Sequence, residues 1–236
     1  MHRQERPWDD GWPEIYDARV REAFRRVVRA EFVEPGLRQW SNRDEPLPIG
    51  HGQTISQPYV VALMTQALRL QPGDKVLEVG TGSGFQTAIL CELTRQSDHP
   101  AGETVWSVER FPILSERATA VLARLGYAPY LRVGDGAAGW PEAAPFEAIV
   151  VTAGAVAVPQ PLWVQLADAG RMVIPVGIPP NVQTLWRLEK RGRRMVRRSL
   201  GPVRFVPLVS PILEHSEGRI EIPSRKPFFR RRQWDG

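Results

Sequence analysis

The sequence predicts an α/β domain whose central sheet is mostly parallel, with helices on both faces and antiparallel strands at the C-terminal edge. Short β-branched runs such as VLEV and FEAIVVT alternate with helical stretches through the middle of the chain. Helical connections of this length join parallel strands by right-handed crossovers. The 236 residues with 42% hydrophobic content are enough for one sizeable core. We therefore expect one doubly wound domain with additional segments at its ends.

The N-terminal part is predicted to lie outside the sheet. Apolar residues at helical spacing predict a helix over 14–33 that packs on the domain. Residues 34–58 are rich in Pro, Gly and polar side chains, which favours an extended lid or loop. The helical period resumes over 59–70 and ends at the turn QPGD. We expect 1–58 to form an N-terminal helix and an active-site flap.

The middle of the chain supplies the alternating elements. Strands are predicted at 76–79, 104–109, 130–135, 146–152 and 170–176, with helices at 84–95, 113–125 and 159–168. Residues 183–208 read as two or three strands with a turn near Gly192. The predicted α/β domain is therefore 59–208. We expect the basic extension that follows, 209–236, to be irregular and to include an exposed arm, RKPFFRRRQW.

Charge is distributed unevenly along the chain. Residues 187–236 contain 14 Lys or Arg against 5 Asp or Glu, whereas residues 1–186 contain 17 against 21. Nearly all of the positive charge is arginine, which can grip carboxylate or phosphate with two hydrogen bonds. A genomic base composition that favours arginine codons would explain the arginine content. Alternatively, the basic C-terminal part would bind nucleic acid or an acidic peptide.

Several classes of protein are disfavoured by what the sequence lacks. Neither an apolar N-terminal leader nor a run of roughly 18 apolar residues occurs, so we expect a cytoplasmic protein without a membrane partner. Cys91 is the single cysteine, which rules out an intrachain disulfide and favours a buried inert thiol. The histidines show no ligand spacing, so no metal is expected.

A glycine-rich loop follows the first predicted strand of the sheet. It reads Gly80-Thr81-Gly82-Ser83-Gly84, and the next strand ends in Glu109. In such sheets, ligands bind at the carboxyl ends of the strands. Glycines let the backbone approach the ligand, and a carboxylate there can accept hydrogen bonds from both hydroxyls of a ribose. The G-x-G-x-G spacing differs from the dinucleotide pattern, and no nucleoside-triphosphate motif occurs. The loop therefore favours S-adenosylmethionine (AdoMet) over NAD.

Two further acidic residues support this interpretation. Glu78 lies within the apolar strand VLEVG, where a buried acid needs a polar partner such as the cofactor's amino group or loop amides. Gly134-Asp135-Gly136 follows the third strand, where the carboxylate is placed to accept the adenine amino group. Coordinated features at successive strand ends predict AdoMet-dependent methyl transfer on a Rossmann-like methyltransferase fold.

Several blocks of the sequence closely resemble the protein-L-isoaspartate O-methyltransferase family. They include PLPIGHGQTISQPYVVALMTQAL, PGDKVLEVGTGSGFQTAIL, GDGAAGWPEAAPFEAIVVTA and LADAGRMVIPVG, and the resemblance spans about 27–208. The GQTIS block is specific to that family. The resemblance implies Ser56 as the active-site residue, with Thr54 shaping the same wall. Together with the loop argument, the expected AdoMet-binding residues are Gln53, Thr54, Ile55, Glu78, Gly80, Thr81, Gly82, Gly84, Glu109, Arg110, Gly134, Asp135 and Gly136.

The implied chemistry needs little acid–base equipment. A carboxylate is already a nucleophile at neutral pH, so the enzyme mainly aligns the reactants and excludes water. Ser56 would donate a hydrogen bond that orients the acceptor carboxylate. Without the resemblance, Ser56 would be read as the N-cap of the following helix, and both roles are compatible. The methyl ester would then cyclise to a succinimide.

The acceptor side departs from the family pattern. The run TAGAVAVPQP follows the fourth strand, RQSDHPAGET lengthens an earlier turn, and the chain continues past Leu208. His51 stands where the family commonly has an aromatic residue. These departures leave two acceptors open: isoaspartate in damaged proteins, or a normal aspartate in a ribosomal peptide precursor that is converted to an aspartimide. A nucleic-acid methyltransferase or binding module is a remote alternative, since VVTAGA replaces the D/N-P-P motif of amino-methylating enzymes.

Overall fold

The computed structural model describes residues 12–97, 99–178 and 181–222. The described residues form five α-helices: α1 (Ala18–Arg26), α2 (Pro58–Leu68), α3 (Phe85–Thr94), α4 (Pro112–Arg124) and α5 (Gln160–Gln165). The strands are β1 (Leu47–Gly50), β2 (Gln53–Ile55), β3 (Val76–Val79), β4 (Val105–Glu109), β5 (Tyr130–Val133), β6 (Phe146–Val151), β7 (Val158–Pro159), β8 (Leu166–Val176), β9 (Gln183–Arg191), β10 (Arg194–Val203) and β11 (Arg219–Ile220).

A seven-stranded sheet in the order β10-β9-β8-β6-β3-β4-β5 forms the centre of the protein. The strands from β8 to β5 are parallel to one another, whereas β9 and β10 are antiparallel additions at one edge. The chain reverses its order between β3 and β6, which is where open α/β sheets bind ligands. The predicted fold class is confirmed.

The sheet is buried on both faces. Every residue of β3 is buried, and successive residues contribute to opposite cores. One core contains Val76 and Val150 together with apolar residues of α1 to α4. The other contains Leu77 and Ile149 together with Val158 of β7 and Leu162 of α5. Burial on both faces explains why the parallel strands are continuous apolar runs rather than alternating ones.

Three predicted boundaries were wrong. The helix expected over 14–33 is α-helical only over Ala18–Arg26, and a 3-10 turn follows at Arg29–Phe32. The loop expected over 34–58 contains a 3-10 helix, Pro35–Trp40, and the β1–β2 hairpin. The helix expected over 159–168 ends at Gln165, because Leu166 already pairs with Phe146 of β6. In the first and third cases the local helix propensity is overridden by the tertiary structure, whereas in the second the loop has more regular structure than its Pro and Gly content suggested.

The segment after Leu208 is not irregular over its described part. It forms 3-10 turns at Pro211–Glu214 and Ser216–Gly218, and β11 pairs antiparallel with β7. The predicted basic arm RKPFFRRRQW lies outside the described residues, and the proposed division of the chain at 58 and 208 stays a prediction. No helix within the described residues is long and apolar enough to cross a membrane.

Candidate active site

A cavity lies at the carboxyl ends of β3, β4 and β6. Ten of the residues predicted from the sequence line it, namely Gln53, Thr54, Ile55, Ser56, Gly80, Thr81, Gly82, Glu109, Arg110 and Gly136. The flap, the glycine loop and the end of β4 are therefore brought together as expected. Four predicted residues, Glu78, Gly84, Gly134 and Asp135, do not line this cavity.

The glycine loop is held in shape by backbone conformation and by one hydroxyl. Gly80 has φ +99°, a conformation that side-chain-bearing residues rarely adopt. A Cβ atom at Gly80 would overlap the Thr152 hydroxyl, which donates a hydrogen bond to the Gly80 carbonyl at 2.7 Å. Gly84 serves packing instead: it is the N-cap of α3, and a Cβ there would lie 3.2 Å from Leu122.

Glu109 is a buried carboxylate that ties the end of β4 to the glycine loop. One oxygen accepts a hydrogen bond from the Gly82 amide at 2.8 Å, and the other accepts one from the Phe111 amide at 2.9 Å. Glu109 also lines the cavity. Each carboxylate oxygen can accept more than one hydrogen bond, so Glu109 retains capacity for a ligand hydroxyl.

Asp135 is engaged with protein groups beside the cavity. Its carboxylate accepts hydrogen bonds from the Ala137 amide at 2.9 Å and from the Ser210 hydroxyl at 2.6 Å. Gly136 lines the cavity, and a Cβ there would overlap the Val79 side chain. Gly134 contributes a backbone hydrogen bond to the Glu109 carbonyl. Recognition of an adenine amino group by Asp135 stays a prediction.

Glu78 lies behind the glycine loop with no solvent exposure. One of its oxygens accepts hydrogen bonds from the Thr87 hydroxyl at 2.6 Å and the Ser107 hydroxyl at 2.7 Å. The expectation that Glu78 has a polar partner is confirmed, although the partners are hydroxyls of α3 and β4 rather than loop amides. Burial raises the pKa of Glu78 to about 7, although both hydroxyls act against this shift. Ser107 also contacts Thr81 of the loop at 2.6 Å, so a polar chain connects the acid to the cavity wall.

The flap is the β1–β2 hairpin, whose turn is built from Gly50, His51 and Gly52. All three have positive φ, including +53° at His51. The exposed His51 ring stacks on the Phe111 ring with 5.7 Å between centroids. His51 therefore contacts the cavity wall, since Phe111 lines the cavity.

Ser56 is not the cap of α2. The N-cap position belongs to Gln57, and the free amide of Tyr59 donates to the Asp44 carboxylate at 2.8 Å. Asp44, from the preceding loop, therefore supplies the capping oxygen. Among the described residues the Ser56 hydroxyl has no hydrogen-bond partner, and Ser56 lines the cavity. Its donor is available to a substrate.

Arg29 is a functional candidate that the sequence analysis missed. Its side chain is buried, with 1% exposure, and its guanidinium donates to four backbone carbonyls. The acceptors are Ser41 at 2.9 Å, Arg43 at 3.2 Å, Glu45 at 2.8 Å and Ser56 at 3.1 Å. One arginine thus ties the segment before the flap to the backbone of Ser56. In the sequence, a buried arginine such as Arg29 looks the same as the solvent-exposed arginines of the same amphipathic stretch.

A second cavity adjoins the first and shares a wall with it. Thr54, Ser56, Thr152 and Val206 line both cavities. Beyond that wall, half of the residues that line the second cavity are around the end of β10, including Val203, Arg204 and Phe205. These residues were also missed, because their approach to Ser56 depends on tertiary structure.

The first cavity is closed on one side by the segment after β10. Val206, Pro207, Leu208 and Val209 line it, and Arg110 donates to the Val209 carbonyl at 2.8 Å. Within the described part of the chain, no group of three or more His, Cys, Asp or Glu side chains could hold a metal ion.

The family profile described as protein-L-isoaspartate(D-aspartate) O-methyltransferase (PCMT) matches residues 13–212. The chain belongs to this family. The match is wider than the resemblance read from the sequence, since it includes α1 and the Ser210 segment that contacts Asp135. The predicted family and type of enzyme are confirmed.

Similar proteins carry the same description. A protein-L-isoaspartate O-methyltransferase of Methylorubrum populi is 53% identical over 196 residues, 83% of this chain and 88% of the relative. One from Anaeromyxobacter dehalogenans is 56% identical over 198 residues, 82% of this chain and 90% of the relative. None of these names indicates a peptide-precursor or nucleic-acid enzyme.

Two solved PCMT-family structures share the fold. A protein-L-isoaspartate O-methyltransferase has a TM-score of 0.73 at 28% identity; the match covers 84% of this chain but 64% of that one, less than two thirds of its length. A Plasmodium falciparum protein described as a putative enzyme of this type, in complex with S-adenosyl-L-homocysteine, has a TM-score of 0.68 at 24% identity and is covered to 93%.

Proposed function

We propose that this PCMT-family protein transfers a methyl group from AdoMet to the free carboxylate of isoaspartyl residues in proteins, as the first step of their repair. One observation carries this proposal. The wall formed by Thr54, Ser56 and Thr152 faces both the cavity with the glycine loop and the second cavity. A donor and an acceptor bound in the two cavities would meet at that wall.

The first cavity fits AdoMet. The glycine loop presents backbone without side chains at Gly80 and Gly82, and the Glu109 carboxylate can accept hydrogen bonds from ribose hydroxyls. Phe111 and Leu208 offer apolar surface for a flat base. AdoMet, when bound, supplies a methyl group on a positively charged sulfur. The prediction of this cofactor is confirmed by family membership, whereas the individual binding residues remain proposals.

The second cavity would receive the acceptor carboxylate. A carboxylate is ionised at neutral pH, so no general base is needed to make it a nucleophile. The Ser56 hydroxyl, free of protein partners in the described structure, donates a hydrogen bond that orients one acceptor oxygen. Thr54 shapes the same wall, and the flap excludes water. Alignment of reactants in a closed site accounts for several kcal/mol of barrier reduction, on the order of 7–11 in favourable cases.

The ester product has a built-in next step. The backbone nitrogen of the following residue attacks the ester carbonyl, methanol leaves, and a succinimide forms. Hydrolysis of the succinimide can then give normal aspartate.

The alternative acceptor, a normal aspartate in a peptide precursor, is not favoured, since relatives at 50% identity or more are described as isoaspartate enzymes. A cytoplasmic location stays a prediction.

Paired peptides test the acceptor. Two peptides identical except for L-isoaspartate or L-aspartate at one position are incubated with AdoMet and the full chain. Mass spectrometry follows the methyl ester and the succinimide. We expect both products from the isoaspartyl peptide alone. Methylation of the aspartyl peptide with none of its isomer would overturn the repair function.

Substitution of Ser56 tests its role. Loss of one hydrogen bond to a charged group costs about 1.5–3 kcal/mol, which corresponds to a fall of roughly 10- to 160-fold in kcat for Ser56→Ala. AdoMet affinity should change little. Ser216→Ala, at an exposed serine of the C-terminal segment, is the matched control. Unchanged kcat for Ser56→Ala would remove Ser56 from the mechanism.

A further inference from the structure

One face of the antiparallel edge of the sheet is densely basic. The register places Arg187 opposite Arg198, Arg191 opposite Arg194, and Arg171 opposite Glu189. Cross-strand partners share a face, and so do residues two apart along a strand. The five arginines 171, 187, 191, 194 and 198 therefore lie on one face of β8–β10, which we name the basic face.

Acidic partners neutralise only part of the basic face. Glu189 pairs with Arg187 at 3.2 Å and with Arg191 at 2.7 Å. Asp74 pairs with Arg171 at 3.4 Å. Arg194 and Arg198 are exposed and have no ion-pair partner in the part of the chain that the structure describes. A net positive charge therefore remains on this face.

Arg187 shows how crowded the positive charge is. Its side chain is 11% exposed, and its Nε atom has no hydrogen-bond partner among the described residues. Burial lowers the pKa of Arg187, and the charges of Arg69, Arg171 and Arg198 lower it further, whereas Glu189 raises it. Like charges directly opposite each other destabilise a sheet. A bound anion would offset that repulsion.

The shape of the basic face favours an extended polypeptide. Val196, 42% exposed, lies between the two arginine pairs and offers an apolar contact. β10 is the outermost strand of the sheet among the described residues, so its outer edge presents peptide groups. An extended chain can hydrogen-bond to such an edge, whereas a nucleic acid lacks a backbone that continues the ladder.

β10 also connects the basic face to the active site. Pro202 and Val203, at the end of β10, line the second cavity. Arg198 precedes Pro202 by four residues, roughly 13 Å along a strand. A polypeptide whose reacting residue occupies the second cavity can therefore reach the basic face with a segment only a few residues away.

We propose that the basic face and the edge of β10 bind an extended acidic segment of the polypeptide substrate that flanks the reacting isoaspartyl residue. The identity of this segment as substrate rests on the proposed function. Carboxylates at alternate positions of the segment face the arginines, and its backbone pairs with β10. Proteins damaged within acidic stretches are then preferred substrates.

A binding assay tests the surface without any catalytic step. Fluorescence anisotropy follows a labelled peptide of alternating Glu and Val that contains no isoaspartate. The variant R194E/R198E should bind it about tenfold more weakly than the wild type, with weaker binding at higher salt. The control R38E/R95E changes two exposed arginines that lack ion-pair partners in the described structure by the same charge. Equal weakening by the two variants, or none, would overturn the surface.

Methylation kinetics place the surface in catalysis. Isoaspartyl peptides carry either a neutral flank or an acidic flank four to eight residues away, on each side in turn. The wild type should show a several-fold lower KM for an acidic flank on one side, and R194E/R198E should lose this advantage while its kcat on the neutral peptide is unchanged. Equal KM values for all peptides overturn the proposal.

If the wild type methylates no peptide, the proposed function fails, while the binding assay still tests whether the basic face binds acidic peptides. Displacement of the labelled peptide by an oligonucleotide of equal charge at lower concentration than by unlabelled peptide would assign the face to nucleic acid instead.

Discussion

Replacement of Arg29 by methionine should loosen the whole wall that carries Ser56. The buried guanidinium donates to four carbonyls at 2.8–3.2 Å, three of them in residues 41–45 and one at Ser56. Each hydrogen bond from a charged donor is worth about 1.5–3 kcal/mol net. Burial of the charge offsets part of this, since burial lowers the pKa of Arg29 to about 10. We expect a net loss of about 3–5 kcal/mol, because Arg29→Met leaves buried carbonyls without donors at about 1–3 kcal/mol each while it relieves the desolvation cost of the charge.

Urea unfolding of the wild type and Arg29→Met measures this loss, and methylation of an isoaspartyl peptide measures its effect on the site. Arg29→Lys keeps the charge but lacks the planar fork that reaches four carbonyls, so it should recover only part of the stability and of kcat. Arg38→Met, at an exposed arginine of the adjacent 3-10 helix, is the control. A change below about 1 kcal/mol for Arg29→Met would refute the reasoning.

Three further perturbations follow from the site. Gly80 has φ +99°, and in Gly80→Ala the added Cβ overlaps the Thr152 hydroxyl, which costs about 1–3 kcal/mol. Calorimetry should show at least several-fold weaker AdoMet binding. Unchanged affinity would contradict the loop geometry. The pKa of Glu78 is about 7 in the folded protein and about 4.5 in the unfolded chain. Between these two pH values the folded protein binds a proton that the unfolded chain has lost. The free energy of unfolding therefore falls by up to about 3 kcal/mol as the pH rises from about 4.5 to about 7. Urea unfolding at pH 5 and pH 8 should show that fall, and Glu78→Gln should abolish it; identical pH profiles would exclude the effect. Ser210→Ala removes the 2.6 Å hydrogen bond to Asp135 and should destabilise the fold by about 1 kcal/mol and raise the KM for AdoMet; thermal unfolding and kinetics indistinguishable from the wild type would show that this contact is dispensable.

The parallel sheet and the glycine loop were predictable because their signals are local. β3, α3 and β4 are contiguous runs with a clear period, and the loop between β3 and α3 carries its ligand-binding pattern within a few residues. Glu109 could be placed because parallel strands bring their carboxyl ends to one edge. Even the flap was expected at the cavity, although its hairpin structure was not.

The failures have a common cause. The cap of α2 was assigned to Ser56, yet the oxygen comes from Asp44, fifteen residues before Tyr59 along the chain. The polar partners of Glu78 are hydroxyls on α3 and β4, and not loop amides. The last helix lost its final turn because Leu166 pairs with β6. Each of these groups interacts with a partner that is near in the folded structure, and the spacing of residues along the sequence does not indicate which groups become neighbours.

The sequence by itself determined the α/β class, the position of the nucleotide-type loop and the family's chemistry, because hydrophobic period, glycine spacing and a specific motif are properties of short segments. Only the tertiary structure decided that Ser56 is free of a capping role, that Arg29 holds its backbone, and that residues beyond β10 close the cavity. It also decided that arginines from three strands share one face. These features depend on hydrogen bonds, burial and charge between segments far apart in the chain, which arise only when the sheet has formed.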